Sequence, residues 1–351
     1  MSVARSLVDP ADLAQRHAAW KADHPRGYLR DAARDLGVSE AELLVATGGD
    51  AVTPLRTDDV PGLLAAVAEW GTLRTMTRND HAVIEHTGRY DNLQFFGPAM
   101  GQTVGSIDLR IFATRWAHAF AVVAEGRDGP RCSLQVFDRH GVNVHKVFTN
   151  DVAAFETFRD AWADRGAAAL PVVEAPEPEA ERPDGEIDAE TLCARWDALQ
   201  DTHDFHGLLR ELGVSRTQAL RLAGTERARP VDPAALATAL AAAAEAAEKV
   251  MIFVGNLGLV QIYIGEIHRV VPTDGWLNVL DREFNLHVRD GGIERAWVVT
   301  KPTRHGPVRC LECYAADGST VLQLFGKRTE EESTPAGFAA VLDRVLADHS
   351  R

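Results

Sequence analysis

The tetrapeptide Leu36-Gly37-Val38-Ser39 recurs as Leu212-Gly213-Val214-Ser215, so the two occurrences are offset by 212 − 36 = 176 in residue number. Gly88, which follows the run HAVIEHT, matches Gly265 after LVQIYI, with an offset of 265 − 88 = 177. Further matches at an offset of 177 or 178 are Leu109 with Leu286, Arg131-Cys132 with Arg309-Cys310, Gly141 with Gly318, and Phe148 with Phe325. Because a near-constant offset over this much of the chain indicates an internal repeat, we predict a tandem duplication.

Each copy opens with residues that favour helices. Ser39-x-x-Glu42 and Ser215-x-x-Gln218 both fit the capping box, in which two side chains satisfy unpaired amides at a helix start. The segments Leu63 to Trp70 and Ala234 to Lys249 are helical by composition, the second because alanine has the highest helix propensity. We therefore predict a helical region at the start of each copy.

Period-2 alternation follows the helices in both copies. The runs in the second copy are MIFVGN, LVQIYIGEI, FNLHVR, RAWVVTK, VRCLECYAADG and VLQLFG. Turn residues that recur about every ten positions between such runs are typical of an antiparallel β-meander. The sequence predicts an α+β fold whose two sheets pack face to face, or form one saddle-like sheet with the helices outside.

The two copies meet in a segment rich in proline and glutamate, ALPVVEAPEPEAERPDGEIDAE, which has no period and resembles an extended, solvated linker. We predict an N-terminal repeat over residues 1–169, a linker over 170–187 and a C-terminal repeat over 188–351.

Composition and charge restrict the function. The chain has 351 residues, 46% of them hydrophobic and 25% charged, which is ordinary globular composition. The formal net charge of −14 disfavours nucleic acid as the main partner, because phosphate backbones are repelled. The first residues lack the apolar region of a signal peptide, and the alanine-rich stretch from Leu236 to Ala247 is too short to cross a bilayer. With only four cysteines, we expect a cytoplasmic protein without membrane insertion.

Several common catalytic motifs are missing from the sequence, among them G-x-G-x-x-G, the P-loop, G-x-S-x-G and H-E-x-x-H. Cys310-x-x-Cys313 has the spacing of zinc and redox sites, but it lies in a strand-like run, where residues three apart point to opposite faces. We predict two buried or half-buried thiols there and no metal.

A histidine cluster lies at a helix start within Asp201–Arg210, where His203 and His206 are three residues apart. Imidazole is suited to be an axial ligand of haem iron, and the neighbouring Phe205 can pack on the macrocycle. From these residues alone, a pair of surface histidines and a haem ligand both remain open.

The chain resembles the hemin-degrading-factor family, the cytoplasmic haem-handling proteins called HemS, ChuS, HmuS and PhuS. The matching second-copy strings are FVGNLGLVQIYIGEIHRVVPTDGWLNVLDREFNLHV, AWVVTKPT and LQLFGKRTEEE. The matching first-copy strings are WKADHPRGYLRDAARDLGVSEAEL, RNDHAVIEHTG, SIDLRIF, and LQVFDRHG followed by HKVFTND. The resemblance covers nearly the whole chain apart from the linker.

The resemblance implies site residues from both copies. His203 matches the helix histidine that ligates haem iron, and Arg110 matches an arginine that approaches the opposite haem face. These matches imply a haem cleft between the sheets of the two halves. The other matched positions are Phe112 and Phe253 in the aromatic pocket, and Arg216, Lys301, Gln323 and Arg328 around the propionates.

General chemistry is compatible with these implied roles. The guanidinium of Arg110 keeps its proton, so it can donate hydrogen bonds and place positive charge where negative charge develops. The cations of Arg216 and Lys301 can pair with carboxylates of a flat apolar ligand. Without the resemblance, Arg110 and Lys301 also fit solvated strand positions, and Phe112 and Phe253 also fit core positions.

The sequence departs from the family pattern at three places. Phe325 stands where the family often has tyrosine, so a phenol hydrogen bond to a propionate is lost. Ile84 stands where the first copy often has a histidine, and His86 is displaced by two residues, which disfavours an additional haem site there. His206 is an alternative iron ligand to His203.

The resemblance implies a haem-binding protein that degrades imported haem to release iron, with haem b as substrate and cofactor and an external electron donor. An anaerobic route driven by reduced nicotinamide is another family possibility. The alternative is a haem chaperone that delivers haem to a separate oxygenase without turnover, and a third is a scaffold that binds no haem. Expected partners are a haem-uptake transporter and a haem oxygenase or reductase.

Overall fold

The computed structural model describes residues 9–126, 129–175, 181–329 and 332–351. The chain divides into two compact units. The first unit consists of the described residues of Met1–Arg78, Glu85–Glu177 and Asn256–Gln261, and the second of those of Asn79–Ile84, Pro178–Gly255 and Ile262–Arg351. Each unit therefore contains one short segment from the other copy.

In the described part of the chain each copy opens with α-helices, as predicted, but one strand precedes the last of these opening helices and a further helix follows the last strand. The helices of the first copy are α1 Pro10–Asp23, α2 Leu29–Leu36, α3 Glu40–Gly48, α4 Val60–Ala68 and α5 Val152–Trp162. Its strands are β1 Val52–Leu55, β2 Leu73–Arg78, β3 Ala82–Gly88, β4 Gln94–Phe96, β5 Met100–Thr103, β6 Asp108–Phe112, β7 Trp116–Gly126, β8 Gly129–Asp138 and β9 Asn143–Thr149. The helices of the second copy are α6 Ala189–Asp197, α7 Asp204–Leu212, α8 Arg216–Leu222, α9 Ala235–Glu245 and α10 Ala336–His349. Its strands are β10 Ala228–Val231, β11 Val250–Gly255, β12 Leu259–Gly265, β13 Val270–Thr273, β14 Trp276–Leu280, β15 Phe284–Arg289, β16 Arg295–Lys301, β17 Val308–Tyr314 and β18 Thr320–Gly326.

The first unit is built on an antiparallel sheet in the order β1-β7-β8-β9-β2. Ala41 and Leu44 of α3 pack on one face of this sheet with Phe120 and Phe137, and α4 and α5 cover the other face. Strands β4, β5 and β6 form a second antiparallel set in order. Strands β7, β8 and β9 form a meander, and the earlier strand β2 pairs with β9 at the end of this order.

The second unit repeats this arrangement with the order β10-β16-β17-β18-β11 and the set β13-β14-β15. Helices α6, α7 and α8 pack on one face of the sheet, and α9 and α10 pack on the other. The α+β fold with two antiparallel sheets and an internal duplication is therefore confirmed.

The predicted helix starts are confirmed in position, but only one of the two capping boxes is complete. At α3, Ser39 accepts a hydrogen bond from the Glu42 amide and Glu42 accepts one from the Ser39 amide. At α8, Ser215 accepts from the Gln218 amide, 3.1 Å away. The Gln218 side chain instead donates to the carbonyl of Arg182, 2.7 Å away, because the end of the linker packs there.

The two thiols of the C-x-x-C motif lie on opposite faces of β17, as predicted, and both are fully buried. The proposed match of Cys132 with Cys310 is wrong by one residue. Val122 and Val299 are equivalent positions, since 299 − 122 = 177. Val122 pairs with Ser133 and Val299 pairs with Cys310, so Ser133 is the structural counterpart of Cys310, with the same offset of 310 − 133 = 177. Because a shift of one residue reverses the face of a strand, Cys132 lies in the core that contains α4 and α5.

Two asparagines hold the exchanged segments in their units. In the second unit, the amide of Asn79 donates to the carbonyl of Val321 at 2.8 Å, and its Oδ1 accepts from the Ala82 amide. In the first unit, the amide of Asn256 donates to the carbonyl of Val144 at 2.8 Å, and its Oδ1 accepts from Gly258 at 3.0 Å. Asn79 and Asn256 are equivalent positions of the two copies, since 256 − 79 = 177, so the repeat uses one device twice.

The first unit contains a chain of buried polar side chains. His145 lies between Tyr90, whose hydroxyl is 2.6 Å from Nε2, and Thr77, whose hydroxyl is 2.8 Å from Nδ1. Thr77 donates to Gln261 at 2.8 Å, and Gln261 donates to Thr75 at 3.0 Å. These five residues are 0–6% exposed.

The second unit has an apolar core at the equivalent positions. Adding 177 to the residue numbers of Thr75, Thr77, Tyr90 and His145, and subtracting it from that of Gln261, gives Ile252, Val254, Ile267, Leu322 and Ile84. All five belong to one hydrophobic cluster. The duplicated copies have thus diverged at these buried positions into one hydrogen-bonded set and one apolar set.

The predicted linker, residues 170–187, lies partly outside the described residues. Its first described part is bonded to the first unit, since the Glu174 amide donates to the carbonyl of Arg139 at 2.8 Å. Its last part is bonded to the second unit, since Glu181 accepts from Thr217 at 3.1 Å and from Arg221 at 3.1 Å. Among the helices in the described part of the chain, none has both the length and the apolar character that crossing a bilayer requires.

Candidate functional site

Helix α7 begins directly after His203. Phe205, Leu208 and Leu209 of α7 are buried against the sheet of the second unit, and they fix the position of the helix. His203 and His206 lie outside this buried stripe, and the side chain of His203 is 80% exposed. The predicted iron ligand therefore has an accessible imidazole directly before the start of a firmly packed helix.

Asp201 holds this imidazole. Its Oδ1 lies 2.6 Å from Nδ1 of His203 and 2.9 Å from the backbone nitrogen of His203. The hydrogen bonds from His203, first of all the backbone one, lower the pKa of Asp201 below its ordinary value. Because a carboxylate only accepts hydrogen bonds, Nδ1 carries a proton, so in the neutral imidazole Nε2 is the nitrogen with the free lone pair.

Strands β11, β17 and β18 bring predicted pocket residues onto one face of the sheet, the face on which α6–α8 pack. The register pairs Phe253 with Gln323 and Gln323 with Glu312 in one row, and Met251 with Phe325 in the next. The rings of Phe253 and Phe325 meet edge to face, with centroids 5.1 Å apart. Both phenylalanines are half-buried, so this face offers a partly open aromatic surface.

Glu312 is a central residue of this face that was not predicted from the sequence. Its fully buried carboxylate accepts two hydrogen bonds from Arg216, at 2.9 and 2.8 Å, one from Lys301 and one from Tyr314. Burial alone would raise the pKa of Glu312, but Arg216 and Lys301 hold it well below its ordinary value. An acid between two inward-facing residues, Cys310 and Tyr314, in a period-2 run was the signal that could have revealed it.

The pairing with Glu312 leaves the two predicted propionate-binding cations, Lys301 and Arg216, with different exposure to a ligand. The ammonium of Lys301 lies over the ring of Phe205, 4.9 Å from its centroid, and the side chain is only 3% exposed. The guanidinium of Arg216 lies 5.2 Å from the same centroid and is 28% exposed. Arg216 is thus accessible to a ligand, whereas Lys301 is covered and acts on its surroundings through Glu312.

Gln323 carries an unused hydrogen-bond donor. Its Nε2 is buried, and it has no hydrogen-bond partner among the described residues. A buried polar group without a partner is costly, so an acceptor on a bound molecule would satisfy it. This observation fits a carboxylate-bearing ligand on this face.

A cavity of about 580 Å³ lies in the second unit beside these residues. Its lining includes Asp201, Met251, Arg304, His305 and Arg328. Arg304 and His305, in the β16–β17 loop, were not predicted, because a loop position has no period that reveals it. The volume is within the range of roughly 300–1,000 Å³ that is usual for small-molecule sites.

The first unit carries the two other predicted residues on one face of β6. The register forms one row of Phe96, Met100 and Phe112, and Arg110 lies opposite Gln102 in the next row. Phe96 and Met100 are exposed by 61% and 49%. Such exposed apolar side chains are the surface that a flat apolar ligand would cover.

Arg110 is half-exposed and is held by its own strand. Its guanidinium donates to Asp108, and to the carbonyl of Leu109 at 3.0 Å. Burial raises the pKa of Asp108, and the charge of Arg110 opposes this rise. The backbone amide of Phe112 donates to the carbonyl of Gly258 at 3.0 Å. A Cβ at position 258 would lie 2.7 Å from the side chain of Val144, so the close packing here requires glycine.

The predicted site residues are thus divided between the two units. The second unit holds His203, His206, Arg216, Phe253, Lys301, Gln323, Phe325 and Arg328. The first unit holds Arg110 and Phe112.

Comparison with family models gives one domain twice. The haemin-degrading HemS.ChuX domain matches residues 37–164 and again residues 213–344. Both matches contain the strands described above, and together they extend over most of the chain.

Known proteins are similar to the chain over almost its whole length. The hemin transport protein HmuS of Yersinia pestis is 39% identical over 324 residues, which cover 91% of this chain and 93% of HmuS. The crystal structure of holo-PhuS, a heme-binding protein from Pseudomonas aeruginosa, aligns with a TM-score of 0.92 at 39% identity and covers 96% of this chain and 99% of PhuS. The heme degrading enzyme ChuS of Escherichia coli O157:H7 aligns with a TM-score of 0.88 at 32% identity, over 96% of this chain and 99% of ChuS.

Proposed function

The chain belongs to the haemin-degrading HemS/ChuX family, and we propose that it binds imported haem in the cytoplasm and takes part in opening the macrocycle to release iron. The observation that carries this proposal is the accessible imidazole of His203, which is held by Asp201 beside a cavity of about 580 Å³. Neutral imidazole with a free Nε2 is a common axial ligand of haem iron.

The second unit supplies the other groups that haem requires. Phe253, Phe325 and Met251 offer an apolar face to the macrocycle. The unused amide donor of Gln323 and the guanidinium of Arg328 at the cavity suit the propionates. Arg216 adds an accessible cation, whose charge Glu312 partly compensates.

We propose that Arg110 and Phe112 also contact bound haem. The family resemblance supports this role, together with the exposed apolar row beside Arg110. A guanidinium donates hydrogen bonds without losing its proton, so Arg110 can orient an oxidant and stabilise developing negative charge. Bound haem supplies the redox-active iron, and an external donor must supply the electrons.

Haem delivery without turnover is the second candidate function. It is favoured by the exposure of both His203 and His206 at one helix start, where an incoming or departing haem can exchange ligands. The similar curated proteins HmuS and HemS are named hemin transport proteins. In this case the partners are a haem-uptake transporter and a separate oxygenase.

Haem ligation is tested by the absorption spectrum of haem-reconstituted protein, with wild type beside His203→Ala and His206→Ala. We expect His203→Ala to shift the Soret and spin-state bands. Loss of a residue that only hydrogen-bonds to a metal ligand weakens metal binding by about 10–100-fold. Loss of the ligand His203 itself should therefore weaken haem binding by more than that. His206→Ala should keep the wild-type bands. The reverse ranking would assign iron to His206, and the absence of any Soret change in the wild type would refute haem binding.

Turnover is tested with the haem complex, ascorbate or a reductase as electron donor, and catalase to remove free peroxide. We expect the Soret band to decay in the wild type in the presence of catalase, and to decay more slowly in Arg110→Ala. A persistent Soret band would contradict the degradation proposal and support delivery. Decay only without catalase would show that free peroxide destroys the haem.

A further inference from the structure

We propose that Asp201 is a positioning residue for the iron-binding imidazole of His203, an inference that rests on the proposed haem binding. Asp201 fixes the proton on Nδ1 and thereby leaves Nε2 as the ligand atom. The short contact of 2.6 Å between Oδ1 and Nδ1 is the geometry that carries this proposal.

Asp201 also restrains the rotation of an imidazole that its surroundings leave open. The His203 side chain is 80% exposed, so core packing does not define its orientation. The same Oδ1 accepts from the His203 backbone amide at 2.9 Å, and two hydrogen bonds from one residue therefore meet at one oxygen. A single carboxylate thus fixes both the start of α7 and the direction of the ring.

The negative charge of Asp201 acts on the ligand through its hydrogen bond. Histidines that bind metals commonly donate their other N–H to a carboxylate or carbonyl, which raises the basicity of the ligand nitrogen. The acceptor in this protein is the carboxylate of Asp201, and a charged acceptor raises the basicity of the ligand nitrogen more than a neutral carbonyl does. Asp201 is therefore placed to strengthen the donation of electrons from His203 to iron.

The location of Asp201 connects this pair to the cavity. Asp201 lines the cavity of about 580 Å³. The residue before it, Gln200, accepts a backbone hydrogen bond from Arg304 at 3.0 Å, so the β16–β17 loop is attached at this point. Asp201, which orients the imidazole of His203, is thus itself part of the lining of the proposed ligand site.

The experiment compares haem-loaded wild type, Asp201→Asn, Asp201→Ala and the control Asp204→Asn. Asp204 is the matched control because it is an exposed carboxylate next to His203, at the first position of α7. The readouts are the iron–histidine stretching frequency of the ferrous protein by resonance Raman spectroscopy, the Fe(III)/Fe(II) midpoint potential and the haem affinity.

We expect Asp201→Asn to lower the stretching frequency and to shift the midpoint potential in the positive direction, because an amide oxygen accepts the same hydrogen bonds without the charge. Asp201→Ala should also weaken haem binding by about 10–100-fold. Asp204→Asn should leave the stretching frequency unchanged. If Asp201→Ala does not fold, Asp201→Asn still provides the test.

The proposal is overturned if Asp201→Asn shows the wild-type frequency and potential, or if Asp204→Asn shifts both as strongly. The failure of the proposed function has a different signature. In that case wild type and His203→Ala share one spectrum, whatever residue stands at position 201.

Discussion

Glu312→Ala is expected to lower the free energy of unfolding by about 3–5 kcal/mol, because it leaves two cations in the interior without their carboxylate. Lys301 is 3% exposed and Arg216 is 28% exposed, and both donate to Glu312. Burial makes their charges costly once the compensating charge is removed. Chemical denaturation monitored by circular dichroism measures this loss.

The matched control is Asp343→Ala, which removes the exposed acid of a pair with the half-buried Arg309 at 2.9 Å. Such a surface pair is worth about 0–1 kcal/mol, so the two variants should differ strongly. Equal losses would contradict a special role for the buried carboxylate. Glu312→Gln removes the charge and also replaces one acceptor oxygen by an amide nitrogen that faces the donors of Arg216, Lys301 and Tyr314, so it too should be strongly destabilising.

The stabilisation by Glu312 should also depend on pH. Its pKa is lower in the folded protein than the ordinary value of 4.5, so the unfolded chain binds the proton more readily. The contribution is present above pH 4.5 and is lost as the pH falls through the lower folded pKa. Glu312→Gln should lack this part of the acid sensitivity.

His145→Leu is expected to lower the free energy of unfolding by about 1–3 kcal/mol. The change leaves the buried hydroxyl of Tyr90 without its partner and removes one partner of Thr77, and each buried group left unpaired costs about 1–3 kcal/mol. The leucine is the residue that the second copy has at the equivalent position, Leu322, so the size of the side chain suits the fold. Thermal and chemical unfolding measure the effect.

The control for this variant is His268→Leu, which replaces an exposed histidine of the second unit. A surface change of this kind should stay within about 0.5 kcal/mol. A loss for His145→Leu as small as for His268→Leu would show that the buried network adds little to stability.

The same histidine gives a pH dependence of known sign. Burial lowers the pKa of His145 from 6.5 to about 3, so between these values the unfolded chain binds a proton that the folded protein does not. Stability should therefore fall as the pH is lowered from 6.5 towards 3. His145→Leu should remove this part of the dependence.

The sequence predicted those features that depend on local patterns. The near-constant offset between matched residues revealed the duplication, alternation located β11, β17 and β18, and Ser39 with Glu42 located the start of α3. Alternation and capping are short-range signals, because they depend on neighbours in the chain.

The features that the sequence did not predict depend on contacts between distant residues. The pairing of Arg216 and Lys301 with Glu312 joins residues 96 and 11 positions apart. Arg304 of the cavity lining lies in an aperiodic loop. The exchange of segments around Asn79 and Asn256 is decided by hydrogen bonds between strands far apart in the chain.

Because the buried positions of the two copies have diverged, each exchanged segment suits the core of the unit in which it lies and not the core of its own copy. If residues 79–84 returned to their own copy, Ile84 would take the place of Gln261 and leave Thr75 and Thr77 with an aliphatic neighbour. Gln261 would in turn bring an amide into the hydrocarbon interior around Ile252 and Leu322. Two identical copies would carry no such difference, so the chemical dissimilarity of the copies favours the exchanged arrangement over one in which each copy keeps its own segment.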